Sequence, residues 1–360
     1  MDIDQLPCGS FCMVAVATIL MSLILRQVLS GKHTGAKLPP GPWNLPVIGS
    51  LHHLVGTKLP PHRAFLRLAR RHGPLMLLRL GEVPIVIVST PEAAMEVFKT
   101  NDLAFATRPS GPTVDIISSG GKGFALAPYG DHWRQMRKVC IMELLSTRQE
   151  IFGAATDTTA STLEWAMAEL IRNPHVMARA KLELQQRLGH HRGSTVTSAD
   201  LHGLHYLRMV IKETLRLHPS VSLIHRAAME DCQVMGYHIP KGTSVMINAF
   251  AVGTDPTHWG EDAAEFRPER FEEMSVEYFK QGPQMEFIPF GAGRRQCPGA
   301  LFASTTMELV LANLLYYFDW AIPGGAGPET LDMGEVFGIV VQTRSSLRLR
   351  AVASCHLQEH

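Results

Sequence analysis

Apolar residues recur at helical spacing between Pro61 and Arg71, with basic residues filling the other face. That pattern predicts an amphipathic helix stopping before Gly73-Pro74. Two short apolar runs, Leu75 to Leu80 and Ile85 to Ser89, flank Gly81-Glu82-Val83-Pro84 and predict a hairpin. Thr90-Pro91-Glu92 supplies a cap, a proline for the first helical position and an acid for the first turn, so a helix should run to about Lys99. Gly120 to Gly130 reads as loop, and Asp131 to about Leu145 as a basic helix. Helical periodicity returns over Phe152 to Ile171, after Asn173-Pro174, over Tyr206 to Leu217 and over the apolar stretch Ala300 to Phe318. Gly236 to Val252 alternates as strands around Pro240-Lys241-Gly242. The expected class is mainly α with small β-sheets (α+β).

The N-terminus differs from the rest. Phe11 to Leu25 is apolar apart from Thr18 and Ser22; Asp2 and Asp4 precede it, and Arg26, Lys32 and Lys37 follow. Residues 1–30 are expected to form a membrane anchor that leaves the following chain cytosolic; the run is short for a full span, so the apolar region of a signal peptide is the alternative. Residues 31–50, with Pro39-Pro40-Gly41-Pro42, Pro46 and Gly49, form a stiff proline-rich hinge. Residues 51–360 form the main domain. A net charge of +1 gives no reason to expect a nucleic-acid partner. The six cysteines are scattered without a CxxC pair, which argues against a disulfide framework or structural zinc and for a reducing compartment.

Chemistry concentrates near the C-terminus. Pro289-Phe290-Gly291-Ala292-Gly293-Arg294-Arg295-Gln296-Cys297-Pro298-Gly299 is a glycine-rich loop delivering a cysteine to a helix N-terminus. The glycines allow a sharp turn close to a flat ligand. Backbone N–H groups and the helix dipole should favour a thiolate. A buried structural cysteine is one alternative. A dinucleotide loop is another, weakened by the missing third glycine.

This string resembles the haem signature of cytochromes P450, matching FxxGxRxCxG at every fixed position. Further segments resemble the family in the family's order. Glu213-Thr214-Leu215-Arg216 looks like its ExxR helix, and Phe266-Arg267-Pro268-Glu269-Arg270-Phe271 looks like the plant PERF segment. The resemblance implies a buried structural triad of Glu213, Arg216 and Arg270. It implies Cys297 as axial thiolate to heme b, within a loop whose Phe290, Gly293, Arg295 and Gly299 bind the cofactor. Trp133 and Arg137 match the WxxxR of a helix at a haem propionate, and His225 or Arg226 is a further propionate candidate. Ala154-Ala155-Thr156-Asp157-Thr158-Thr159 resembles the oxygen-binding segment, with Asp157 and Thr158 as catalytic proton relay. The proline hinge matches microsomal members.

The resemblance has a hole. Ser146 to Ile151 joins the WxxxR helix directly to the oxygen-binding helix, where family members carry a long helical stretch. The expected fold is a cytochrome P450 lacking much of its distal helical part, with apolar side chains exposed where the lost helices would pack. The family implies a monooxygenase at the endoplasmic reticulum membrane. Its partners would be an NADPH-cytochrome P450 reductase, docking near Arg134, Lys138 and Arg294, and a lipophilic small-molecule substrate, possibly terpenoid. The alternative is a catalytically inactive or unstable haem-binding remnant.

Overall fold

A computed structural model of the chain describes residues 36–117, 120, 123–144, 152–189, 196–274, 278 and 285–354, with positions 13, 17, 18, 21 and 22. The expected junction at 146–151 and most of the expected anchor at 11–25 lie outside the described residues. No helix among the described residues is long and apolar enough to cross a membrane.

The amphipathic pattern after Pro60 forms helix α1, Pro61–His72, with Pro61 at its first position. Its apolar face, Ala64, Phe65, Leu68 and Ala69, is buried against a four-stranded sheet. Strands β1 (Leu75–Leu80) and β2 (Val83–Val88) form the expected antiparallel hairpin, with the turn at Gly81-Glu82. The sheet order is β1-β2-β6-β3, where β3 is Leu223–Ala227 and β6 is Ser244–Asn248. β6 runs parallel to β2 and antiparallel to β3. Ile85 to Val88 are all buried, because α1 covers one sheet face and a second cluster covers the other. Between β3 and β6 lies a small hairpin of β4 (Cys232–Val234) and β5 (Tyr237–Ile239).

The helical half holds the largest core. Helices α2 (Asp131–Val139), α3 (Phe152–Arg172), α4 (Pro174–Leu188), α5 (His205–Leu217) and α6 (Ala300–Tyr317) carry the long periodic segments. Residues of α3, α4, α5 and α6 bury one continuous apolar cluster, including Leu170, Leu184, Leu207, Val210 and Leu311 at 0% exposure. Each such side chain contributes about 1.5–3 kcal/mol of burial. α6 shows little amphipathic contrast because neighbours cover much of its circumference.

One sequence expectation fails locally. Ala249–Gly253 is helical rather than a continuation of β6. Asn248 explains the switch. Its Oδ1 accepts the Ala251 N–H at 3.1 Å while its Nδ2 donates to the His62 carbonyl at 2.7 Å. A buried helix cap therefore overrides a short apolar run that periodicity alone cannot assign. The helix from Thr90 has the expected cap, the Thr90 hydroxyl accepting from Ala93 N, but widens into a π turn over Glu96–Thr100.

Candidate active site

α5 places Glu213 and Arg216 one turn apart, and tertiary packing removes both from water. Arg216 donates Nε and Nη2 to the two Glu213 oxygens at 2.7 and 2.8 Å. Arg270 donates Nε to the same carboxylate at 2.9 Å, and the Arg267 backbone N–H adds a fourth bond at 2.8 Å. The remaining guanidinium donors bind carbonyls of Gly253, Trp259, Asp262, Ala263 and Glu265. The side chains of the triad are at most 3% exposed. Two arginines share one carboxylate, and Asp262, 3.5 Å from Arg270, supplies the second negative charge. The network ties α5 to the chain that leads toward the cysteine loop.

The loop itself is closed by backbone hydrogen bonds. Cys297 N donates to Phe290 O, and Gln296 N to Gly293 O, both at 2.9 Å. Gly293 has φ +69°, and a Cβ there would stand 2.5 Å from Asp102 Oδ1 and 2.7 Å from Phe98 O. Only glycine fits this approach. α6 begins at Ala300 with Gly299 as its cap residue. Cys297 is exposed by surface area, yet it lies deep enough for desolvation to act on it; an accessible sulfur deep in a fold lines an open space. Burial pushes its thiol up, against the Gly299 N–H and the Arg137 charge, which pull it down. The backbone donors act in the expected direction, and burial opposes them.

Beside the cysteine lies a cluster of cations. Arg137 Nη1 donates to the Gln296 carbonyl at 2.9 Å, next to Cys297. Trp133, 3% exposed, is stacked by the guanidinium groups of Arg295 at 4.1 Å and Arg137 at 5.4 Å. Arg295 also donates to the carbonyls of Ala106 and Ala127, and its Nη1 is buried without a partner among the described residues. Desolvation, then the charges of Arg108 and Arg137, depress Arg295 to about 10. Burial brings Arg108 to about 10 as well. Arg226 is pushed well below its ordinary value by burial and by Arg108 and Arg295, with Asp102 offsetting in part.

β3 separates the two propionate candidates by simple alternation. Arg226 is buried, against Phe98 and the Ala292 carbonyl, while the neighbouring His225 is accessible. His225 is depressed by burial and then by Arg108 and Arg226. His225 therefore lies on the accessible face of β3, and Arg226 lies on the buried one against the Ala292 carbonyl of the loop. A buried, mutually repelling set of cations with an orphaned guanidinium N–H calls for a multiply charged anion. The two carboxylates of haem fit that requirement, and the soft sulfur of Cys297 fits its iron.

The comparisons agree with this geometry. The family model described as Cytochrome P450 matches residues 39–151 and 143–348. The chain is 33% identical over 490 aligned positions to desmethyl-deoxy-podophyllotoxin synthase of Sinopodophyllum hexandrum, covering 93% of this chain and 95% of that protein. It is 33% identical over 487 positions to costunolide synthase of Cichorium intybus, covering 93% and 97%. It is 31% identical over 499 positions to 5-epiaristolochene 1,3-dihydroxylase of Nicotiana tabacum, covering 95% and 98%. The chain belongs to the cytochrome P450 family. Its enzymes hold haem through a cysteine thiolate. A solved zebra fish cytochrome P450 with abiraterone superposes at a TM-score of 0.70, at 22% identity, covering 82% of this chain and 100% of that one. Alignments of 487 to 499 positions exceed the 360 residues of the chain, so the relatives carry a stretch that this P450 lacks. The two family-model matches meet at 143–151, which places the shortening between the WxxxR helix and the oxygen-binding helix.

In this P450, Asp157 is exposed and Thr158 half-buried in the first turns of α3. The Thr158 carbonyl accepts from Thr162 Oγ1 at 2.9 Å and from Ser220 Oγ at 3.1 Å. Ser220 precedes β3, so one strand connects the Asp157–Thr158 region to the cation cluster. Arg226 lies six positions beyond Ser220, at most about 20 Å along the chain. Ile141 and Met142, just before the shortening, are exposed apolar side chains, as are Leu301 and Phe302 at the start of α6. Arg108 is the residue that motif reading missed. It follows the buried run Ala104 to Ala106 and precedes Pro109. A bridge from Thr107 to Ala227 pins it beside β3, where its Nη1 donates to the His225 carbonyl. A cation at the end of a buried apolar run was the available signal.

Proposed function

We propose that this P450 is a haem-thiolate monooxygenase acting on a lipophilic small molecule of plant specialised metabolism, of terpenoid type. The observation that carries this reading is the juxtaposition of Cys297 with the cations of Arg108, Arg137 and Arg295. Haem supplies oxygen activation when bound, and thiolate donation from sulfur promotes O–O cleavage. Cys297 holds the iron. Arg137, Arg295, Arg108 and His225 hold the carboxylates, and Trp133 keeps two of those arginines in place by stacking. Phe290, Gly293 and Gly299 shape the loop, and Arg226 with the Glu213–Arg216–Arg270 triad supports it. Asp157 and Thr158 hold and pass a proton on the oxygen side.

Electrons come from an NADPH-cytochrome P450 reductase. Of its candidate contacts, Arg134 pairs with Asp131 and Arg294 with Asp102 at 3.1 Å, so Lys138 is the strongest remaining candidate. Residues 1–30 anchor the chain at the endoplasmic reticulum membrane, residues 31–50 form the hinge and residues 51–360 the haem domain. The names of the relatives, which include a premnaspirodiene oxygenase and a dolabradiene monooxygenase, support the terpenoid reading. The alternative of an inactive remnant draws no support from the comparisons. The test is a carbon monoxide difference spectrum of the reduced, haem-loaded chain. The red-shifted Soret band of thiolate ligation is expected; its absence overturns the reading.

A further inference from the structure

The helix that starts after Thr90 widens into a π turn over Glu96–Thr100. Single π turns inside an α-helix are rare and concentrate at functional sites. One extra residue in a turn rotates the chain beyond it by about 100°. Here the residues beyond are Asn101 and Asp102. Asn101 N donates to Glu96 O at 2.8 Å and closes the wide turn. Asn101 Nδ2 donates to Glu96 O and to Gln233 O, both at 3.1 Å. The Glu96 carboxylate accepts the Met235 N–H. The π turn is thereby fastened to the β4–β5 hairpin, and Asp102 leaves it in a set direction.

That direction leads to the cysteine loop. Asp102 Oδ1 accepts the Arg294 N–H at 3.0 Å, and Asp102 Oδ2 lies 3.1 Å from Arg294 Nε. The loop needs such a contact just there. Gly291 and Gly293 have φ +67° and +69°, with the extended Ala292 (φ −148°) between them. Holding two glycines in one conformation is costly in backbone entropy. Arg226 Nη2 donates to Ala292 O at 3.4 Å, and Asp102 takes the Arg294 N–H two residues on. The next residue, Arg295, enters the cation cluster, and Cys297 follows two positions later. The ion pair contributes little, because the Arg294 and Asp102 side chains are 49% and 27% exposed. The bond to the backbone is the specific element, since it fixes the loop rather than a side chain.

We propose that Asp102 is a positioning residue for the axial thiolate. Its carboxylate, carried in by the π turn, holds the Arg294 N–H and so sets where Arg295 and Cys297 stand. This rests on the haem-thiolate reading above and adds a residue far outside the cysteine loop that decides how well the sulfur is held at the iron.

The test compares the full, haem-loaded parent chain with Asp102→Ala, Asp102→Asn and Asp102→Glu. The carbon monoxide difference spectrum gives the ratio of thiolate-ligated haem to haem that has lost the sulfur. It is recorded over rising urea, below the onset of unfolding seen by far-UV circular dichroism. Asp102→Ala removes the acceptor, and a charge-assisted hydrogen bond is worth about ten- to a hundredfold in such a ratio. Asp102→Glu keeps the charge but carries the carboxylate one methylene further, so it should lose about as much. Asp102→Asn drops the charge and keeps Oδ1 at the Arg294 N–H. Its ratio should stay within about fivefold of the parent, since a neutral acceptor retains roughly half of the bond. A residue that only added general stability would lower the unfolding midpoint and leave the ratio at low urea unchanged. A parent-like ratio in Asp102→Ala overturns the proposal. A parent-like Glu variant beside a depleted Asn variant assigns the effect to charge and overturns it too. Should Asp102→Ala fail to fold, the Asn and Glu variants decide by the same comparison. A parent chain without the thiolate band sinks the haem-thiolate reading itself, whereas a normal parent with unchanged variants sinks only the role of Asp102.

Discussion

Glu213→Gln should be among the most damaging single-atom changes in this P450. The carboxylate accepts four hydrogen bonds at 2.7 to 2.9 Å from Arg216, Arg270 and the Arg267 backbone. An amide oxygen retains about half of that capacity, and the new NH2 faces guanidinium donors. Two guanidinium groups, with side chains 0% and 3% exposed, then lose their shared counter-charge. Asp262 at 3.5 Å and the backbone carbonyls soften the loss for Arg270. Breaking one partner of such a buried network costs about 3–5 kcal/mol, against a total stability of about 5–15 kcal/mol. A thermal midpoint lower by roughly 5 °C follows, measured by circular dichroism with haem content recorded in parallel. Arg267→Ala is the control. Its side chain is 49% exposed and pairs with Asp262 at the surface, so its loss should stay within about 1 kcal/mol. A Glu213→Gln midpoint within about 2 °C of the parent would refute the claim that this network carries stability.

Cys297→Ser should abolish the thiolate haem spectrum, because a neutral hydroxyl replaces the soft donor; Cys140→Ser and Cys232→Ser should leave it intact, and a retained spectrum in Cys297→Ser would remove the assignment. Arg108→Ala should weaken haem binding by about 10- to 100-fold, the worth of a charge-assisted hydrogen bond. The haem-free chain should not be destabilised, since burial already disfavours the charge of Arg108; haem titration and thermal unfolding separate the two effects. Burial alone would raise the Glu335 carboxyl, but hydrogen bonds from His62 and Arg63 hold it at about 2, below its ordinary 4.5. Its contribution, on the order of 3 kcal/mol, is present above pH 4.5 and lost as pH falls toward 2. Glu335→Gln should flatten acid unfolding in that window, and parallel acid curves for parent and variant would count against it. Lys138→Glu should slow reduction by the reductase mainly at low salt; an unchanged rate there would move the docking face elsewhere.

Local chemistry made much of this P450 legible before any coordinates. Helical spacing over Pro61 to Arg71 and Tyr206 to Leu217, the Thr90-Pro91 helix start and the Gly81-Glu82 turn are short-range signals, and each element formed close to where its residues placed it. The cysteine loop and ExxR were readable because their chemistry needs particular residue types at fixed spacing. Tertiary structure decided what depends on distant partners. Asn248 reaches back to His62 and turns an apolar run into a helix. Strand alternation in β3 gives His225 the open side and Arg226 the buried one, although the sequence offered both. Burial opposes the loop's own donors at Cys297 and pushes its thiol up, a balance no local pattern contains. Arg108 joined the cation cluster only because Thr107 pairs with Ala227, 120 positions along the chain. Sequence spacing fixes which groups are available, and burial and long-range contact fix their charge, their orientation and their partners.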